Sequence, residues 1–188
     1  MAMLSAGVLL WALVHLVPGP GRHIRQSIVT AIGEKPYKGI FSLLIIAALL
    51  LIVFGWRATI PQAVYLPPSW GGPVAIVLMA TAVFLFGATH AKTRIKRVVR
   101  HPQLTSILIW SVAHLLANGD NRSLLLFGGL GIWALLEIMV VNRRDREWHK
   151  PAAPPLATEV RGLIIAAVVF ALLIYLHPYF AGVALLRT

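Results

Sequence analysis

Long apolar runs separated by short polar, basic stretches set the pattern of this chain. Six runs stand out, at roughly 2–17, 39–56, 73–90, 103–117, 124–141 and 160–181. A helix that crosses the hydrocarbon core needs about 20 residues, with about 17 a practical minimum. The first and fourth runs are shorter, so they cross only with help from flanking residues or where the bilayer thins. Short, histidine-bearing spans suit helices packed inside a bundle or lining a cavity. The pattern predicts an all-α, polytopic membrane protein, a single integral membrane domain over 1–188 built as a bundle of about six transmembrane helices.

Proline and glycine mark the joints. "VPGPG" at 17–21 stops the first helix, because proline removes a donor and clashes with the preceding turn. "LPPSWGGP" at 66–73 is the turn before the third helix, and "KPAAPP" at 150–155 is a stiff linker before the sixth. Gly128, Gly129 and Gly131 permit close helix approach around the fifth. "ANGD" at 117–120 reads as an outer turn through Asn118 and Asp120.

Composition sharpens this picture. The 188 residues are 59% hydrophobic and only 12% charged, with a mean hydropathy of +0.81; soluble domains carry about a quarter charged residues. The net charge of +11 raises the question of nucleic acid, but a nucleic-acid binder gathers its cations on one face of a polar domain. Here they lie between apolar runs. The connections at 18–38, 91–102 and 142–161 hold four, five and five of the 17 Lys and Arg, and Arg57, Arg122 and Arg187 fall on the alternate side. The positive-inside rule then puts the three basic connections in the cytoplasm and both termini outside. Trp56, Trp70, Trp148, Tyr37, Tyr65 and Tyr179 sit near segment ends, as an interfacial belt does. The absence of cysteine excludes disulfides, iron–sulfur clusters, thiolate zinc sites and cysteine nucleophiles. The first run lacks a basic flank of the signal-peptide kind and is expected to stay in the mature protein.

Polar groups at hydrocarbon depth are costly and usually face a bundle's interior. Here they are His15, His90, Ser111, His114, Glu137 and His177. Imidazoles on facing helices can clamp a haem, and they can equally just bond a neighbouring carbonyl. His114 lies 12 residues beyond Pro102, so about 18 Å into the membrane at about 1.5 Å per residue. His101 is 13 residues from His114, and at about 100° per residue the two point to different faces. Trp110 and Ser111 share the face of His114. By depth alone His15 pairs with His90, both near the cytoplasmic side. His101-Pro102 fixes a helix start, proline being suited to the first turn. Glu137 lies close to the cytoplasmic arginines.

At these stretches the sequence resembles the NnrU family of bacterial membrane proteins, which is related to the zeta-carotene isomerases of plants and cyanobacteria. "VHLVPGPGRHIR", "GEKPYKGIFSL", "RHPQLTSILIWSVAHLLANGD", "NRRDREW" and "YLHPYFAG" match in order along most of the chain. In the isomerase a b-type haem is held by two histidines, one in the "VHLVPGPGR" element and one in the "W-x-x-A-H" element. The resemblance therefore implies haem b on His15 and His114, with Trp110 and Ser111 at the pocket and Arg100, beside the matched "RHP", the best placed of Arg22, Arg25, Arg97 and Arg100 to pair a propionate. The isomerase carries a cysteine implicated in ligand switching where this chain has Ser111, and a hydroxyl is a far weaker iron ligand than a thiolate.

The family's name comes from association with nitrite and nitric oxide reduction genes. The implied functions are haem-dependent cis–trans isomerisation of an apolar polyene, electron transfer or nitric oxide sensing in the bacterial inner membrane. The alternative is a non-haem assembly or transport factor for denitrification reductases. "RHP" is also similar to a motif of isoprenylcysteine methyltransferases and membrane sterol reductases. Those end in a cytosolic arm, whereas this chain ends in a sixth apolar run.

Overall fold

The computed structural model describes residues 1–18, 22–183 and 185, and of Arg22 the backbone alone. Residues 19–21 of the "VPGPG" joint, the Arg22 side chain and Arg187 lie outside the described residues. The helices are α1 (Ala2–Leu16), α2 (Arg22–Ile32), α3 (Glu34–Ala58), α4 (Gly71–His90), α5 (Pro102–Ala117), α6 (Asn121–Ser123), α7 (Gly129–Asp145) and α8 (Leu156–Ala181). A 3-10 turn (Arg94–Arg97) lies between α4 and α5, and one π-helical turn (Leu124–Gly128) joins α6 to α7. Among the described residues the sole β-type pairing is a bridge between Ala63 and Asp120. The protein is a polytopic, all-helical membrane protein: α3, α4, α8 and the continuous stretch Asn121–Asp145 are long and apolar enough to cross a membrane, and α1 and α5 are shorter apolar helices.

Side-chain register fixes the direction of each helix. Gly7 lies against Ile52 and Gly55 against Leu4, so α1 and α3 are antiparallel. Ser106 Oγ donates to the Ala82 carbonyl at 2.8 Å, and Gly71 abuts the Leu116 carbonyl, so α4 and α5 are antiparallel as well. His101, just before α5, bonds Asn142 of α7, and Thr93 beyond α4 bonds Glu159 of α8. Gly129 meets Val8 while Arg144 Nη1 donates to the Pro18 carbonyl, which runs α1 parallel to α7. These directions gather the 18–38, 91–102 and 142–161 connections at one end of the bundle, called here the basic end. Met1, the 59–70 connection and the "ANGD" turn sit at the other.

Small residues set the closeness of these contacts. A Cβ on Gly7 would lie 2.7 Å from the Ile52 nitrogen, and one on Gly129 would lie 2.7 Å from Val8 Cγ1. A Cβ on Gly131 would approach Ser111 Oγ to 3.2 Å, whereas Gly128 has open space. Two of the three glycines expected to permit close approach therefore do so.

The structure adds a helix within the 18–38 connection. In α2, Ile24, Ile28 and Ile32 form an exposed stripe four residues apart, while His23, Gln26, Ser27 and Thr30 take other faces. This is the pattern of a helix suited to lie along a membrane surface. Gly33, at φ 88°, makes the break before α3, a conformation that side chains with a Cβ resist. Glu34 then pairs Lys38 at 2.9 Å along the first turn of α3, starting that helix earlier than its apolar run.

The end opposite the basic one is tied through Gly119, whose carbonyl accepts from the Val64 and Tyr65 amides. The Tyr65 hydroxyl donates to the Leu115 and Asn118 carbonyls; desolvation, then the Asp120 carboxylate, holds its phenol above the ordinary tyrosine value. Asp120 caps α6: its Oδ1 accepts from the Arg122 and Ser123 amides at 3.1 and 3.0 Å, and its Oδ2 from Ser123 Oγ at 2.7 Å. Asp120→Ala is expected to cost about 1 kcal/mol, the usual value of an N-cap, read as a lower melting temperature in detergent. An unchanged transition would show that the cap carries no weight.

Candidate intramembrane histidine site

Two histidines sit in copies of one local arrangement. His15 ends "WALVH" in α1 and His114 ends "WSVAH" in α5. In each, a tryptophan precedes the imidazole by four residues, so the two rings share a helix face. Trp11 and His15 centroids are 4.3 Å apart, and Trp110 and His114 centroids 5.0 Å apart. His15 Nδ1 bonds the Trp11 carbonyl at 2.8 Å, and His114 Nδ1 bonds the Trp110 carbonyl at 2.9 Å.

That shared bond decides the tautomer. A carbonyl oxygen only accepts, so in both rings Nδ1 carries the proton and Nε2 carries the lone pair. Fixing one ring nitrogen this way orients the other as a ligand. Each imidazole therefore offers a correctly formed nitrogen donor for a metal such as haem iron.

The surroundings of the two rings are aromatic and distinct. His15 lies among Trp11, Trp133 of α7 at 5.0 Å and Phe41 of α3 at 5.9 Å. His114 stacks on Phe127 at 4.3 Å with a 22° interplanar angle, and Trp110 meets the edge of the same ring at 4.7 Å. Phe127 belongs to the π-helical turn. The extra residue of such a turn reorients one side chain, and π turns concentrate at functional sites.

The structure does not bring His15 and His114 into contact. Their partners Trp133 and Phe127 are six residues apart along one continuous stretch, an offset of about 9 Å along its axis. His15 lies toward the basic end and His114 toward the other. Nor does His15 meet His90, which ends α4 beside Phe86. The donor chemistry of both imidazoles suits haem, and a single shared iron requires their Nε2 atoms to converge across this offset.

The remaining expected residues are placed as follows. Ser111 is buried, its Oγ has no protein hydrogen-bond partner, and it packs against Gly131. Arg100 donates to the carbonyls of Arg146 and Glu147 at 3.4 and 3.0 Å, at the basic end. His101 Nε2 bonds Asn142 Oδ1 at 2.9 Å and precedes Pro102, the first residue of α5. His177 is half-buried, and its Nδ1 bonds the Val183 carbonyl at 2.7 Å. Glu137 is buried on α7, one turn from Trp133.

Sequence reasoning missed Trp11, Trp133, Phe127 and Tyr37. The recurrence of W-x-x-x-H at 11–15 and 110–114 was a signal for the first. Phe127 and Trp133 had none, each being one more apolar residue in an apolar run.

The family model described as NnrU protein matches residues 3–185 of the chain. No curated protein and no solved structure matches it.

Proposed function

The chain belongs to the NnrU family, and we propose that it is an integral membrane protein that binds haem b through His15 and His114. The observation that carries this reading is the matched pair of imidazoles, each with Nδ1–H bonded to the carbonyl four residues back and Nε2 left as a lone-pair donor. Trp11, Trp110, Trp133 and Phe127 would supply flat aromatic walls against a planar ring. Bound haem would supply one-electron chemistry at its iron. Ser111 lies in this helix three residues before His114, and with no cysteine in the chain a thiolate-based ligand switch has no residue to perform it. Electron transfer or sensing therefore suits these residues better than isomerisation of a polyene.

In this reading the protein lies in the bacterial inner membrane with its basic end in the cytoplasm and both termini on the periplasmic side. The asymmetry of Lys and Arg supports that orientation, and so does the exposed apolar stripe of α2 at the basic end.

The test is the absorption spectrum of protein purified in mild detergent after expression with adequate haem supply. A Soret band with about one haem per chain by pyridine haemochrome is expected. Colourless, folded protein would refute haem binding and favour an assembly or transport role for denitrification reductases.

A further inference from the structure

Buried polar atoms in a membrane protein are satisfied by a partner, because hydrocarbon offers none. Among the described residues, six buried side-chain atoms lack a hydrogen-bond partner in the protein, and four of them belong to Trp11, Tyr37, Trp133 and Glu137. These four surround one place. Trp11 meets Trp133 edge-on at 5.7 Å, and both contact the His15 ring. Tyr37 lies one turn from Phe41, which also contacts His15. Glu137 lies one turn from Trp133 toward the basic end. Tyr37, Trp133 and Glu137 are 9%, 5% and 9% exposed, so bulk solvent does not reach them directly.

The chemistry of the four atoms is complementary. Two indole N–H groups and a phenol O–H are donors, while Glu137 Oε2 and the free His15 Nε2 are acceptors. A water molecule needs two to four such partners and a polar site. This cluster supplies five.

At the basic end lies a separate cavity of about 310 Å³ lined by Pro18, Arg25, Gln26, Arg144 and Asp145. The Arg25 guanidinium lies over the Tyr37 ring at 5.3 Å, so one side chain separates the cavity from the buried cluster. Arg144 lies two turns beyond Glu137 on α7 and interacts with it electrostatically. A charged cavity and a buried polar cluster thus lie end to end along α7.

We infer that these residues form a hydrated inlet: a site for water and small neutral hydrogen-bonding solutes that reaches from the basic end, past Arg25 and Tyr37, to His15 and Glu137. The inlet rests on Trp11, Tyr37, Trp133 and Glu137, so it does not depend on haem, which would take His15 Nε2 and leave these four groups in place. It makes His15 the imidazole in contact with the aqueous phase, and it leaves His114, stacked on Phe127 toward the other end, dry.

The chain has no cysteine, so a single introduced thiol reports its own surroundings. Glu137→Cys is compared with Ile132→Cys, which is 63% exposed on the lipid side of the same helix. The probe is a charged, membrane-impermeant methanethiosulfonate added to the full-length protein in lipid nanodiscs. Glu137→Cys is expected to react at least about tenfold faster, because only a hydrated thiol reaches its reactive thiolate form. Equal rates would overturn the inlet. Should Glu137→Cys fail to fold, the wild-type protein decides by NMR in D₂O. Exchange of the Trp11 and Trp133 indole protons before the α7 backbone amides supports the inlet, and their protection for as long as those amides overturns it.

Discussion

Gly55→Val is expected to unfold or severely destabilise the protein. A Cβ at position 55 would overlap the Leu4 backbone nitrogen and lie 2.7 Å from Leu4 Cα. Those are backbone atoms, so no rotamer change relieves the clash and α1 must move away from α3. The same seam holds Gly7 against Ile52 and Ala48, and the terminal amine of Met1 donates to Thr59 Oγ1 at 3.1 Å. Membrane helices gain little from apolar burial against each other and rely on this kind of contact. Overpacking costs about 1–3 kcal/mol even where side chains can adjust, and here the cost lies at or above the top of that range. Gly39→Ala on the same helix is the control. It has open space around the new Cβ, and alanine is favoured over glycine in a helix interior by roughly 0.8–1 kcal/mol. The measurement is thermal unfolding in detergent: a large fall for Gly55→Val, and no fall for Gly39→Ala. A wild-type transition for Gly55→Val would show that α1 and α3 are not packed at this seam.

The long-range plan of the molecule was legible because the membrane imposes coarse rules. Apolar length gave four helices long enough to cross a membrane and two shorter apolar ones, and alternation of Lys and Arg grouped the connections that the structure gathers at one end. The parts that were hidden depend on finer features. The isoleucines of α2 recur every four residues over only 11 positions, inside a segment whose cations mark it as a connection. The π-helical turn that brings Phe127 onto His114 leaves no trace in an apolar run. Tyr37 looked like a belt residue near a segment end, yet α3 begins at Glu34, which carries Tyr37 into the bundle beneath Arg25. Trp133 and Glu137 gain meaning only from neighbours on α1 and α3. Counting residues did place His15 correctly toward the basic end, because α1 runs unbroken to Leu16.

On the proposed haem reading, replacing either imidazole is expected to change the Soret band as strongly as any substitution outside the helix seams. Both rings offer Nε2 as donor, and with no cysteine in the chain no thiolate competes with them for iron. His114→Ala removes the ring stacked on Phe127, and His15→Ala removes the ring beside Trp133. Their partners Trp133 and Phe127 are offset by about 9 Å along one helical stretch, so a shared iron makes both losses equivalent, whereas an iron held by one ring makes them unequal. His90, at the end of α4 beside Phe86, is the control.

The most direct measurement is the Soret band of His15→Ala, His114→Ala and His90→Ala, each purified with the same haem supply and normalised to folded protein. Loss or a marked shift of the band in the first two, with the third unchanged, is the predicted result. A wild-type band in His114→Ala, or its loss in His90→Ala, would contradict the assignment of the iron to His15 and His114.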